Sequence, residues 1–208
     1  MTFADELHQQ RWDDHRFYHH NRINQSLHLV SACCFLTSYL LIFVNPVWAV
    51  MAAWPAAMIV RQIGHFFFEP LTHDAVADVS HEYKESIKVG YNLKRKFVLL
   101  SFWALAPALL WFQPSLFGFF SPAELARGFL YNLSIVWLLL GLAAIAFRVV
   151  QLCFTMSVQS GFVWATKILT DPFHDIKIYH RAPYHAWKGE MYDDMTEWYR
   201  EPPKAVAA

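Results

Sequence analysis

Neither sign of charge is in excess in this chain: 17 lysines and arginines stand against 17 aspartates and glutamates, a formal net charge of zero. Bulk attraction to nucleic acid is therefore not expected. Cysteine is scarce. The three present, Cys33, Cys34 and Cys153, fall in apolar stretches and form neither a disulfide framework nor a zinc-type spacing. They are expected to pack as small hydrophobes. No cleavable signal peptide is expected either, because the first 27 residues are polar and charged.

Apolar side chains are what the chain has in abundance. It is 56% hydrophobic and 17% aromatic over 208 residues, which is high for a soluble domain. The apolar residues are segregated into runs at 29–44, 47–60, 97–112 and 128–147. The expected fold is an all-α integral membrane helical bundle, one domain over residues 1–208, with about four spans plus an interfacial or cytoplasmic helix. A soluble helical bundle is the alternative.

Charge sets the expected topology. Arg11, Arg16 and Arg22 precede the first span, and Arg61, Lys84, Lys88, Lys94, Arg95 and Lys96 lie between the second and third. The 45–46 turn has no Lys or Arg, and the 113–127 loop has only Arg127. The positive-inside rule then puts the N-terminus and the 61–96 segment on the cytoplasmic side. Asn21 is the expected N-cap of the first span. Pro55 should kink the second span, and Pro70 should end it just after Glu69. Ser121-Pro122-Ala123-Glu124 reads as the cap of a helix from 122 to about 147. Residues 148–168 carry a polar stripe (Arg148, Gln151, Thr155, Gln159, Thr166) and are expected to continue that helix at the interface or in the cytoplasm. The stretch 171–208 is expected to be a cytoplasmic tail.

The pattern that points to chemistry is a pair of histidines. His28 lies 18 residues before Pro46 and His65 lies 19 after it. Either arm of this Asn45-Pro46 hairpin spans roughly 27 Å at the helical rise, so the two histidines should reach the same membrane surface. All eleven histidines fall on that side of the expected topology. Imidazole suits iron, zinc or copper, and two histidines with a carboxylate and open positions suit Fe(II) and dioxygen. His65 and Glu69 share a helix face at a spacing of four, and His20, Asn24 and His28 would form a similar stripe if their helix extended back that far. Arg11, Arg16, Arg22, Arg61, Lys94, Arg95 and Lys96 surround the same surface. Their general role is topology and headgroup contact, and Arg22 and Arg61 are the candidates to hold an amphiphile's carboxylate. His174, His180 and His185 show no metal-like regularity and are expected to be structural.

Phe17-Tyr18-His19-His20-Asn21-Arg22-Ile23-Asn24-Gln25-Ser26-Leu27-His28 resembles the N-terminal motif of the membrane 2-hydroxy fatty acid dioxygenases, a fungal and bacterial family. Gln62-Ile63-Gly64-His65-Phe66-Phe67-Phe68-Glu69 resembles the family's second motif. The resemblance covers roughly residues 15–70. It implies Fe(II)-dependent oxidative removal of one carbon from a 2-hydroxy long-chain fatty acid, with dioxygen as co-substrate. By the same resemblance His19, His28 and His65 match the family's histidines and Glu69 its glutamate. The candidate metal ligands are thus His19, His20, His28 and His65, with Glu69 as the candidate catalytic carboxylate. A bis-histidine haem protein, a di-metal lipid hydroxylase using His15, His19 and His20, and a non-catalytic scaffold remain open alternatives.

Overall fold

A computed structural model describes residues 1–122 and 126–193. Its regular elements are all helical, joined only by two isolated β-bridges among the described residues. Helix α1 (Phe3–Asp13) opens with a capping box, in which Thr2 accepts from the Asp5 N–H and the Asp5 carboxylate accepts from the Thr2 N–H. It runs on into a π-helical turn, Asp14–Tyr18. Helix α2 (Arg22–Leu41) starts where expected, with the Asn21 side chain accepting from the N–H groups of Ile23 and Asn24.

The second arm of the hairpin begins at Asn45, which caps α3 (Pro46–Met51), and Pro46 fills the first helical position. A π-helical stretch, Ala52–Met58, carries Pro55 and leads straight into α4 (Ile59–Phe67). Proline has no N–H to give the ladder, and the widened turn absorbs that loss without ending the helix. The rod from Pro46 to Phe67 is therefore continuous, and it stops two residues before the end expected at Glu69.

Helix α5 (His81–Ile87) is capped by Ser80 and α6 (Leu93–Phe112) by Asn92. Helix α7 (Ala126–Thr155) extends eight residues past the expected end near 147, while Ala123 and Glu124 of the expected cap lie outside the described residues. The polar stripe over 148–168 does not continue one helix. Its first half ends α7, the chain breaks at Met156 and Ser157, and its second half opens α8 (Val158–Tyr179) with Ser157 as cap. Arg148 is buried instead of facing solvent, and its guanidinium donates to the carbonyls of Val89 (2.6 Å) and Lys88 (3.2 Å). Helix α8 runs on past Asp171, so the stretch set off as a tail begins inside it, and α9 (Ala182–Trp187) follows.

Among the described residues, three helical segments are long and apolar enough to cross a membrane: Pro46–Phe67, Leu93–Phe112 and Ala126–Thr155. The expected count of about four included α2, which is not among them. Its first turns carry Asn24, Gln25, Ser26, His28 and Ser31, four of which are fully buried within the fold. The spanning helices pack through tryptophan. Val50, Trp54 and Trp103 form one buried cluster with Trp137 against it, and Ala106, Leu110, Leu133 and Val136 form another. Many of their other apolar side chains, including Phe102, Leu105, Leu139, Leu142 and Phe147, face outward. An apolar belt of that kind suits a hydrocarbon surround.

Candidate metal centre

Three elements converge at the polar end of the hairpin. His19 comes from the turn after the π-helical segment, His28 from α2 and His65 from α4. One ring nitrogen from each lies within 4.8 Å of the others. The ring centroids are 4.0 Å apart for His19 and His28, 4.9 Å for His28 and His65, and 5.4 Å for His19 and His65. His19 and His28 are fully buried, whereas His65 keeps a partly open side. Close approach of α2 and α4 makes this meeting feasible. A Cβ at Gly64 would lie 2.2 Å from the Asn24 Oδ1, and that side chain is pinned by its Nδ2 donating to the Tyr18 carbonyl (3.0 Å). Only a residue without a side chain fits there.

The imidazoles are held neutral and partly unsatisfied. Burial drives the His19 ring well below its ordinary titration range, and the neighbouring His28 adds to the effect. Among the described residues, the Nε2 of His19 and both ring nitrogens of His28 have no hydrogen-bond partner. Buried nitrogens are seldom left so, and a bound cation is what three converging imidazole lone pairs would satisfy.

The surrounding groups orient these rings. The His65 Nδ1 is hydrogen-bonded to the Glu69 carboxylate one turn on. An acceptor-only carboxylate fixes the proton on Nδ1 and leaves the Nε2 lone pair to a metal. Burial pushes the Glu69 carboxyl up, and the charges of Lys96 and Lys88 oppose that shift. Tyr179, on α8, bonds through its hydroxyl to His15 and lies 3.3 Å from the His19 Nδ1. Asp175 of the same helix accepts from Arg61 (3.1 Å) and stands 3.7 Å from the His28 Nδ1 and 3.9 Å from the His15 Nε2. Burial raises its carboxyl to about 7 against the pull of Arg61. Lys167 bridges Asp14 (2.7 Å) and Asp171 (2.9 Å), and Arg11 reaches Asp171 at 3.2 Å. Burial alone would raise the Asp14 carboxyl, yet Lys167 holds it well below the usual carboxylate range.

The structure brings His19, His28 and His65 together and leaves His20 out of that cluster. Helix α2 begins only after the Asn21 cap, so His20 cannot extend a stripe to His28. Its Nδ1 faces the Phe17 carbonyl (3.0 Å), and its ring stacks on Tyr192. Arg22 is ion-paired with Asp193 (2.7 Å), and Arg61 with Asp175, so both candidate substrate arginines already hold a carboxylate. His180 is exposed, and His185 pairs with Glu190. Sequence reasoning missed the contribution of α8. Lys167, Asp171, Asp175 and Tyr179 recur every four residues, all buried, and that spacing alone marks one polar face.

No curated protein and no solved structure matches the chain. Over residues 6–76, the stretch containing His19, His28, His65 and Glu69, the chain matches the model of the Mpo1-like family, described as 2-hydroxy-palmitic acid dioxygenase Mpo1-like, which supports the resemblance carried by its two histidine motifs.

Proposed function

We propose that the protein is a membrane dioxygenase that binds Fe(II) through His19, His28 and His65 and removes one carbon from 2-hydroxy long-chain fatty acids. The carrying observation is the set of three converging imidazoles, in which the His19 Nε2 and both His28 ring nitrogens have no hydrogen-bond partner among the described residues. The matched family's name supplies the substrate class, and nitrogen donors of this kind suit iron. The chemistry that bound Fe(II) supplies is electron transfer to dioxygen, which no side chain here can perform.

The protein's own part is placement. Glu69 sets the tautomer and tilt of His65 and acts in this reading as a positioning residue. Tyr179 and His15 stand behind the His19 ring, and Asp175 stands behind His28. Burial of His19 and His28 keeps bulk water from the inner side of the site. The cluster of arginines and lysines at this end supports a cytoplasmic location for it.

The test uses full-length protein purified in detergent. Elemental analysis should find about one iron per chain, and a visible spectrum should lack the intense Soret band of a haem. Incubation with 2-hydroxyhexadecanoate and oxygen should yield pentadecanoate by mass spectrometry, and a strong chelator should stop it. Unchanged substrate with folded, iron-loaded protein would overturn the reading.

A further inference from the structure

Helix α8 is built inside out. Its charged side chains Lys167, Asp171 and Asp175 are buried, and none of its charged residues is exposed before Lys177. The opposite face carries Val158, Phe162, Leu169 and Phe173, each more than half exposed. Their steps of four, seven and four put them in one stripe along the helix. A helix that turned this face to water would leave apolar area wet and still bear the cost of burying ions. Against hydrocarbon both features are favourable, because ionisable groups there turn inward and pair with one another. Those pairs are present, in Lys167 with Asp14 and Asp171 and in Asp175 with Arg61.

The neighbours of α8 identify what covers the stripe. Helix α7, a spanning helix, runs so close that a Cβ at Gly161 would lie 2.8 Å from both the Val149 carbonyl oxygen and the Cys153 Sγ. Around that contact α7 exposes Phe147, Val150 and Phe154, and the exposed apolar series continues through Met156 to Val158. The apolar belt of a spanning helix thus passes onto α8 without a break. Helix α2 adjoins it as well, with the Tyr39 hydroxyl donating to the Leu169 carbonyl (3.2 Å). The stripe also has an end. Past Phe173 the exposed side chains become Lys177, His180 and Arg181, followed by Tyr184 and Trp187 of α9. Cations and amphipathic rings of this kind mark a membrane–water boundary. Helix α1 has the opposite character. It is tied to α8 through Arg11 on Asp171 and Gln159 on Glu6, and it exposes Asp5, His8 and Gln9.

We propose that α8 lies along the membrane, with Val158, Phe162, Leu169 and Phe173 set among the acyl chains of the bilayer and α1 turned toward water. The lipid is then a structural partner of this helix. It covers the apolar stripe, while α1 and the N-terminal segment cover the charged face through the Asp14 and Arg11 pairs. The stretch from 171 onward, set off as a tail by its polarity, starts within this membrane-bound helix. The assignment stands apart from the chemistry proposed for the histidines.

The test uses the full chain in phosphatidylcholine nanodiscs, with Cys33→Ala, Cys34→Ala and Cys153→Ala removing the native thiols. Phe162→Cys, Leu169→Cys and Phe173→Cys each carry a spin label, with Gln9→Cys as the water reference and Phe102→Cys on α6 as the lipid reference. Paramagnetic relaxation by oxygen is compared with relaxation by a polar nickel chelate. The oxygen-to-nickel ratio at the three α8 positions should exceed that at Gln9 by roughly fivefold or more, as exclusion of a polar solute from hydrocarbon requires. Ratios equal to that at Gln9 would overturn the proposal. Labels shielded from both reagents and broadened by a second label would put another copy of the chain on the stripe, and would overturn it too. Should the thiol-free chain fail to fold, wild type supplies the second test. Photolysis with a phosphatidylcholine carrying a diazirine in its acyl chain should leave adducts between residues 158 and 173 as well as on α6. Adducts on α6 alone would overturn the assignment.

Discussion

Around Trp54, Trp103 and Trp137 the helices meet through aromatic rings, whereas around His19, His28 and His65 they meet through imidazoles, carboxylates and cations. The first region needs little beyond shape. Trp103 and Trp137 stack with ring centroids 5.2 Å apart, and the Trp137 N–H finds the Trp103 carbonyl at 3.1 Å. The second region must satisfy buried charge pair by pair, since an unpaired ion away from water is strongly destabilising. It does so with Lys167 between Asp14 and Asp171, Arg61 on Asp175, and Lys84 and Arg16 on Asp74. At its centre His19 and His28 keep ring nitrogens without a hydrogen-bond partner among the described residues. The difference separates what holds the bundle together from what makes it a candidate enzyme.

The largest expected effect comes from the polar region. His65→Ala should reduce bound metal to background while circular dichroism stays near wild type, because the partly exposed ring at a helix end leaves little cavity. Full metal occupancy in that variant would remove His65 from the ligand set. Asp175→Asn should come next. It leaves Arg61 without its carboxylate, and breaking a buried pair costs roughly 3 kcal/mol, to be read from denaturation in detergent. Stability equal to wild type would show that water already screens the pair.

The apolar region should respond in the opposite sense. Leu110→Ala is expected to lower stability by about 2 kcal/mol through the cavity it leaves, with metal content unchanged. Metal loss in that variant would break the separation between the two regions. The smallest effect concerns pH. Burial, with Arg11 adding to it, lowers His174 to about 4 in the folded state, against an unfolded value near 6.5. The unfolded chain therefore binds the proton first, and this contribution to stability falls as pH drops from about 6.5 toward 4. His174→Gln should make the unfolding midpoint change less steeply across that window, where buried His15 and His19 contribute in the same direction, and an unaltered slope would assign the dependence to those groups.

How far each region could be read from sequence follows the same division. The apolar runs announce spanning helices directly, because composition and length suffice. The meeting of His28 and His65 was legible too, since equal arms about Asn45-Pro46 bring both to one end. His20 stands apart from the three clustered histidines because its placement depends on which side of the Asn21 cap it falls, a matter of one residue. Asp175 and Tyr179 were not seen, since they reach the histidines from more than a hundred residues away in sequence, and no local pattern encodes that return. Their four-residue spacing along α8 marked a buried polar face without saying what it faces. Helix α2 carries a weaker apolar signal than the other three, because its polar first turns are buried inside the protein.

The ties between α8 and the N-terminal segment also govern the order of assembly. The three histidines all lie within the first 65 residues, while Asp171, Asp175 and Tyr179 follow about a hundred residues later. The end of the described chain then returns, with the Arg22 N–H donating to the Met191 carbonyl and the Asp193 N–H to the His20 carbonyl. During synthesis the nitrogen donors therefore emerge long before the groups that screen and orient them. On the proposed reading, a nascent hairpin would offer bare imidazoles to whatever divalent ion is abundant, and choosing among metals would fall to the completed chain.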